Sequence, residues 1–284
     1  MFEKVNPAHP DKIADRIAGA IVDMAYRIEV DPRIAVEVLI GHGECRIIIE
    51  TDSELDTSEI VDIVYRIAGP SFSEPPVISI NMNKQDGHLA ANAAGYTRTG
   101  DNGIFRGVPA NAEELQLTRI AGEIYEQFPT DGKCILAKMN GKKRLIVCQS
   151  NADDFDIERI ARKRMKPADT VDVNPLGPWT GGTDVDTGAT NRKLGSDMGR
   201  GATGGGLHGK DLSKADVTVN IYAFLKATNY CKPIDYFCGI GDKEVSCLTY
   251  GTTVPFEEMI RVAREYLQEI GGFEKLAEWG LIRP

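Results

Sequence analysis

The sequence predicts an α+β protein of three similar α/β units around a pseudo-threefold axis, each a sheet with helices on one face. Three observations predict it. The order helix, hairpin, helix, strand recurs three times along the chain, and internal repeats define an architecture. Short Gly-containing turns join pairs of strand-like stretches, which marks hairpins. Two long segments rich in Gly, Asp, Asn and Thr separate the copies; loops of that length inside a folded protein carry function or are disordered.

The first copy opens with HPDKIADRIAGAIVDMAYRI. Ile13, Ile17, Ala20, Ile21 and Met24 fall on one helical face, and Pro10 suits the first turn. RIAVEVLIG and ECRIIIET read as two strands about a Gly-containing turn. DTSEIVDIVYRIAG follows as a helix with Asp56 and Glu59 at capping-box spacing, and VISIN as a strand. In the second copy ANAEELQLTRIAGEIYEQF is helical. KCILAKM and KRLIVCQS flank an Asn-Gly turn, DDFDIERIARKR is helical, and DTVDVN is a short strand. The third copy is SKADVTVNIYAFLKATNY, PIDYFCGIG, EVSCLTYG and PFEEMIRVAREYLQEIG. The divisions expected are a first repeat at 1–81, a long loop at 82–109 and a second repeat at 110–173. A Gly-rich segment follows at 174–212, and a third repeat at 213–284.

The 284 residues are 42% hydrophobic, enough for a sizeable core. A net charge of −9 argues against a nucleic-acid binder, which needs a basic face. No stretch has the length of a membrane span, and MFEKVNPAHPDK lacks the apolar core of a signal peptide. The six cysteines show no C-x-x-C spacing and most lie in strand-like stretches, so reduced thiols in a cytoplasmic protein are expected. The four histidines are scattered and suggest no zinc site.

Charged residues gather near the two long segments. NPAHPDK holds His9, Asp11 and Lys12. RTGDNG holds Asp101, and PTDGK holds Asp131 and Lys133. NPLGPWTGGTDVDTGATNRK holds Trp179, Asp186, Arg192 and Lys193. GGGLHGKDLSKAD holds Lys210, Asp211, Lys214 and Asp216. Any one of these has a plain structural reading: His9 as a helix cap, Asp11 serving the helix dipole, Lys210 and Lys214 as a solvated face. Five clusters with cations and carboxylates at close spacing fit a triphosphate with a divalent metal, the cations taking phosphate oxygens and Asp the metal. The run GATGGGLHGKD gives up packing and chain entropy, which a backbone approach to a phosphate would offset. It is not a Walker A loop, and no G-x-G-x-x-G follows a strand.

The ordered series HPDK, GDNG, TDGK, NPLG…GG…D.G.TNRK and GGGLHGKDLSKAD resembles the S-adenosylmethionine synthetases. That family shows GHPDK, GAGDQG, PDGK, NPTG with GG…D.GLTGRK, and GGGAFSGKDPSKVD. The likeness runs from about residue 6 to residue 227. It implies three α/β units and an enzyme that joins ATP and L-methionine: the sulfur attacks ribose C5′ and expels triphosphate, which is hydrolysed to pyrophosphate and phosphate. It also implies Mg²⁺, two per site, K⁺, and a homodimer with shared sites or a tetramer of such dimers.

Roles carry over position by position. His9 lies near the ribose and triphosphate oxygens. Asp11 and Asp216 are Mg²⁺ ligands and Glu37 a K⁺ ligand. Lys12, Arg192, Lys193 and Lys210 contact phosphate; Asp131 and Lys133 meet ribose and triphosphate. Trp179 lies against adenine. Asp101 also serves ATP, and Glu50, Asp101, Asp186 and Lys214 surround methionine and the nucleoside. His9, Lys133, Arg192, Lys193 and Lys210 form the catalytic set. The chain departs from the family in its shorter length, in TNRK for TGRK, in a Gly run one residue shorter, and in the stretch after Lys84–Gln85, KQDGHLAANAAGYTRTG, which reads as a mobile lid. A metal-dependent tripolyphosphate or nucleotide hydrolase and a non-catalytic nucleotide-binding relative are the alternatives. Near-continuous apolar strands such as RIIIE suggest sheets covered on both faces, the second by a partner chain.

Overall fold

The computed structural model describes residues 1–284. The first strand, β1, covers Phe2–Val5. Helix α1 (Pro10–Ile28) begins where the His9 ring accepts a hydrogen bond from the Asp11 N–H, with Pro10 in the first turn. Its buried residues Ile13, Ile17, Ile21 and Met24 form the expected stripe. Strands β2 (Ile34–Gly41) and β3 (Glu44–Thr51) make the first hairpin, followed by α2 (Thr57–Ala68) and β4 (Val77–Asn83). Helix α3 (Gly87–Ala93) leads to β5 (Gly103–Gly107).

The second unit is α4 (Ala112–Gln127), β6 (Gly132–Met139), β7 (Lys142–Gln149), α5 (Asp154–Arg162) and β8 (Thr170–Val173). Asn140 and Gly141 both have positive φ (51° and 79°), as a two-residue hairpin turn requires. The third unit contains β9 (Gly188–Ala189), α6 (Leu194–Met198), α7 (Ala215–Tyr230), β10 (Ile234–Cys238), β11 (Glu244–Cys247), β12 (Thr252–Pro255), α8 (Phe256–Ile270) and α9 (Phe273–Trp279).

Each hairpin grows into a four-stranded sheet: β1-β6-β7-β8, β5-β10-β11-β12 and β9-β2-β3-β4. The strand ahead of each unit's main helix does not join its own hairpin. Instead β1 pairs antiparallel with β6 of the second unit, β5 with β10 of the third, and β9 with β2 of the first. The units thereby exchange strands in a ring, which gives the pseudo-threefold arrangement a hydrogen-bonded basis. These three strands are short and lack a turn-bounded alternation, so pattern alone does not reveal them.

One expectation is corrected. The third unit closes differently: β12 precedes α8 and runs antiparallel to β11, whereas β4 and β8 follow their helices and run parallel to β3 and β7. A tight turn at 248–251, with Gly251 at φ 64°, reverses the chain at once. The stretch after Lys84 contains a short helix. Asp86 caps α3, and the buried Tyr96 donates its hydroxyl to the Pro32 carbonyl. The Ala-rich run favours helix.

The first and third units share one apolar core, and the second has its own around Leu117, Ile120, Leu145 and Val147. In β3 burial alternates strictly, so one face of this sheet packs inward and the other is open, with Ile48 51% and its β2 neighbour Leu39 49% exposed. No helix is long and apolar enough to cross a membrane.

Candidate active site

The first cluster forms at the start of α1. Asp11 is 1% exposed. Its Oδ2 lies 2.8 Å from Lys193 Nζ and its Oδ1 3.5 Å from Arg192 Nε. Oδ1 also accepts the Ala189 N–H at 2.9 Å, so the short strand β9 is what delivers Arg192 and Lys193 to the helix. His9 Nδ1 accepts the Asp11 N–H at 3.2 Å, which places the ring hydrogen on Nε2 when the ring is neutral. Burial, the largest influence, holds His9 down to about 4, against the pull of Asp11. The imidazole is therefore neutral at pH 7.

Asp131 and Lys133 enter from the start of β6. Burial raises Asp131 to about 6, with Asp186 and Asp11 adding to it; the Gly182 N–H, donating at 3.1 Å, and Lys193 oppose. Lys133 rests on Glu3 of β1 at 2.8 Å. Trp179 packs beside Gly181 and Asp131, its Nε1 donating to Asn174 at 3.1 Å. The exposed Asp186 also bears electrostatically on His9. Three segments, 9–11, 131–133 and 179–193, thus converge on one spot.

The second cluster forms where α7 begins. Lys210 Nζ lies 2.6 Å from Asp216 Oδ2. Asp101 accepts the Ala215 N–H at 2.9 Å. Burial raises Asp101 to about 6 and the Asp216 charge adds to this, while Lys210 and Lys214 pull the other way. Lys210 bridges to Ala35 on β2, and Glu50 on β3 is the Cα partner of Ala35 on its other side. Glu50 is exposed, as is Glu37 on the same face of β2, where the Thr190 hydroxyl donates to it.

The two clusters sit at opposite ends of β2. The first is fixed by β9 at Leu39 and Ile40, the second by Lys210 at Ala35. Five residues of strand separate them, about 16 Å at 3.3 Å per residue. Within one chain Asp186 therefore lies with the first cluster, while Glu50, Asp101 and Lys214 belong to the second.

Lys12 is the predicted phosphate contact that the structure does not bring to either cluster. It is fully buried, with Nζ 2.6 Å from Asp197 Oδ1, 3.1 Å from Asp15 Oδ2 and 3.3 Å from His208 Nε2. Burial works against its charge, but Asp197 and Asp15 outweigh it and the ammonium is held above its ordinary value. Asp15, Asp197 and His208 lie close enough together to hold a metal; the Lys12 ammonium already occupies that position. The glycine run has a structural cause as well. Gly205 leaves no room for a Cβ against Asp216, nor Gly206 against Asn191. Sequence reading missed Asp15, Asn191, Asp197 and His208. The signals were His208 inside the glycine run and Asn191 in TNRK.

A family model described as the S-adenosylmethionine synthetase N-terminal domain matches residues 1–72. The S-adenosylmethionine synthase of Paramagnetospirillum magneticum is 28% identical, over 89% of this chain and 76% of that one. That of Salinibacter ruber is 26% identical, over 94% and 85%. A solved structure titled as an unusual S-adenosylmethionine synthetase from Campylobacter jejuni superposes with a TM-score of 0.77 over 100% of this chain and 95% of that one, at 20% identity. At that identity the likeness concerns the fold. Motif order, the match over residues 1–72, the listed relatives and the fold all point the same way: the chain is similar to S-adenosylmethionine synthetases, at 26–28% identity to these two relatives.

Proposed function

We propose that this chain makes S-adenosylmethionine from ATP and L-methionine, releasing triphosphate that the same site hydrolyses to pyrophosphate and phosphate. The observation that carries the reading is the first cluster: His9, Asp131, Lys133, Arg192 and Lys193 around the buried Asp11 at a helix N-terminus. Such a place favours an anion. A thioether sulfur needs no deprotonation before it attacks. The work left to the protein is alignment and neutralisation of the departing charge.

The residues divide that work. His9 offers Nε2–H to the oxygen between ribose and triphosphate. Asp131 accepts from a ribose hydroxyl, and Trp179 lies against adenine. Asp11 and Asp216 are hard oxygen donors, which suits Mg²⁺ shared with substrate phosphates. Mg²⁺, when bound there, offsets the triphosphate charge. Lys193 and Arg192 then turn from Asp11, and Lys210 from Asp216, toward phosphate oxygens. Glu37 with Thr190 would hold K⁺. In the second cluster Lys214 suits the methionine carboxylate, and Asp101 and Glu50 its ammonium.

Clusters about 16 Å apart along one strand favour a site completed by a second copy. The open sheet face bearing Leu39 and Ile48 offers that copy a surface. A two-fold dimer then places the first cluster of one protomer against the second cluster of its partner, twice. The test is incubation with ATP, Mg²⁺, K⁺ and methionine, followed by mass analysis. S-adenosylmethionine is the expected product. Phosphate release without it would make the chain a hydrolase, and no turnover would make it a nucleotide-binding relative; either overturns the proposal.

A further inference from the structure

Asn191 stands immediately before Arg192 and Lys193, with φ 61°, a left-handed conformation that Asn tolerates. Its side chain reaches across to the other cation-bearing loop. Oδ1 accepts the Leu207 and His208 N–H groups, each at 2.9 Å, and Nδ2 donates to the His208 carbonyl at 3.1 Å. Lys210 follows two residues later. The His208 ring continues the connection. Its Nε2 donates to Asp197 Oδ2 at 2.9 Å. Asp197 accepts from Lys12, Lys12 also donates to Asp15, and Asp15 Oδ1 accepts the Asn191 N–H at 2.8 Å.

The five residues close a ring: Asn191, His208, Asp197, Lys12, Asp15 and back to Asn191. Lys12, Asp15, Asp197 and His208 are at most 2% exposed. The ring joins α1, which carries Asp11, to the segment carrying Arg192 and Lys193 and to the loop carrying Lys210. Two of its members stand where this chain departs from the motifs it resembles, in TNRK and in the shortened glycine run, and here they contact each other.

We propose that Asn191 and His208 are positioning residues. They form a clamp that ties the loop carrying Lys210 to α1 and to the 191–193 segment of the same chain, so that Lys210 is held in place for the site it completes with a second copy. The inference rests on the reading of these cations as triphosphate contacts. The clamp touches no substrate. It anchors residues 207 and 208 just ahead of the Lys210–Ala35 bridge, adding a second hold on the approach to Lys210; a cation misplaced by about 1 Å loses most of its effect.

The clean deletion is Asn191→Gly, which keeps the left-handed backbone and removes three hydrogen bonds. It is to be measured alone and in a Lys210→Ala background, by calorimetric titration with Mg²⁺–tripolyphosphate and by S-adenosylmethionine formation. In the wild-type background we expect tripolyphosphate affinity and kcat to fall about tenfold, with the methionine KM unchanged. In the Lys210→Ala background the same substitution should change either quantity by less than about twofold, because the group it positions is gone. His208→Gln, which keeps a donor for Asp197, should retain more affinity than His208→Leu. Equal losses in both backgrounds, or no loss in either, overturn the clamp. If Asn191→Gly does not fold, the cycle is decided with Asn191→Ser. A wild-type chain that binds tripolyphosphate with this pattern but makes no S-adenosylmethionine removes the proposed function and leaves the clamp standing.

Discussion

The two clusters use similar residues in opposite balance. In the first, the buried Asp11 faces Lys193 and Arg192 beside a neutral His9 at a helix N-terminus, with Asp131 raised to about 6 by burial. In the second, Asp101 and Asp216 lie close enough that Asp101 is pushed up to about 6 by burial and by its neighbour's charge. The first is poised for an anion. The second has carboxylate to spare, the condition for a metal ion or an ammonium group. The substrate pair proposed above, a polyanion and a zwitterion, asks for both kinds, and in the proposed dimer a second chain brings them together.

The largest effect should come from the carboxylates that balance these cations. Asp11→Asn and Asp216→Asn each remove a charge and little volume. S-adenosylmethionine formation should fall by roughly two to three orders of magnitude, the scale for losing one preorganised electrostatic group. Steady-state turnover at saturating Mg²⁺ checks this, and near-normal rates would dissolve the assignment of either cluster. His9→Asn comes next. Asn is itself a good N-cap, so the melting temperature should hardly move while synthesis slows by about ten- to a hundredfold. Hydrolysis of added tripolyphosphate should fall less than synthesis does. Equal losses would reduce His9 to a general phosphate contact.

Mixing separates one-chain from two-chain sites. Impaired His9→Asn and Asp101→Asn proteins, allowed to exchange subunits, should rise to about a quarter of wild-type activity if each site takes one cluster from each protomer of a two-fold dimer. No recovery despite demonstrated exchange would put both clusters in one chain. The smallest effect is on stability. A carboxyl raised from 3.8 to about 6 contributes stability that is present below the unfolded value and lost as pH climbs through the folded one. Asp101→Asn keeps the acceptor for the Ala215 N–H. It should therefore gain in melting temperature over wild type as pH rises from 4 to 6, with a constant difference above. His9, lowered to about 4, works the other way: its neutral form supports the fold above pH 6.5, and that support fades as pH falls toward 4. A flat difference between the Asp101 variant and wild type would mean that this carboxyl is not crowded.

Much of the fold was legible because helix and hairpin patterns are local. The stripe Ile13, Ile17, Ile21, Met24 and the Asn140–Gly141 turn rest on periods and φ angles within a few residues. Much of the site was legible too, since Asp11 with Arg192 and Lys193, and Asp101 with Asp216 and Lys210, were all named by their motifs. Lys12 was misread for a physical reason. Neighbouring helix positions differ by about 100° in direction, so Asp11 can face the cleft while Lys12 faces the interior. A four-residue motif does not say which way each turns.

By itself, then, the sequence determined the local elements, the triplicate order and the identity of the charged groups, because propensity, periodicity and residue chemistry act over a few positions. Only the tertiary structure decided that β1, β5 and β9 leave their own units to close a ring of sheets. It alone decided that the charged groups divide between two ends of β2, and that Asn191 and His208 meet across the glycine run. Those outcomes depend on pairing and burial between segments as much as 196 residues apart, as Lys12 and His208 are. At such separations the energy of a contact is set by what else packs around it.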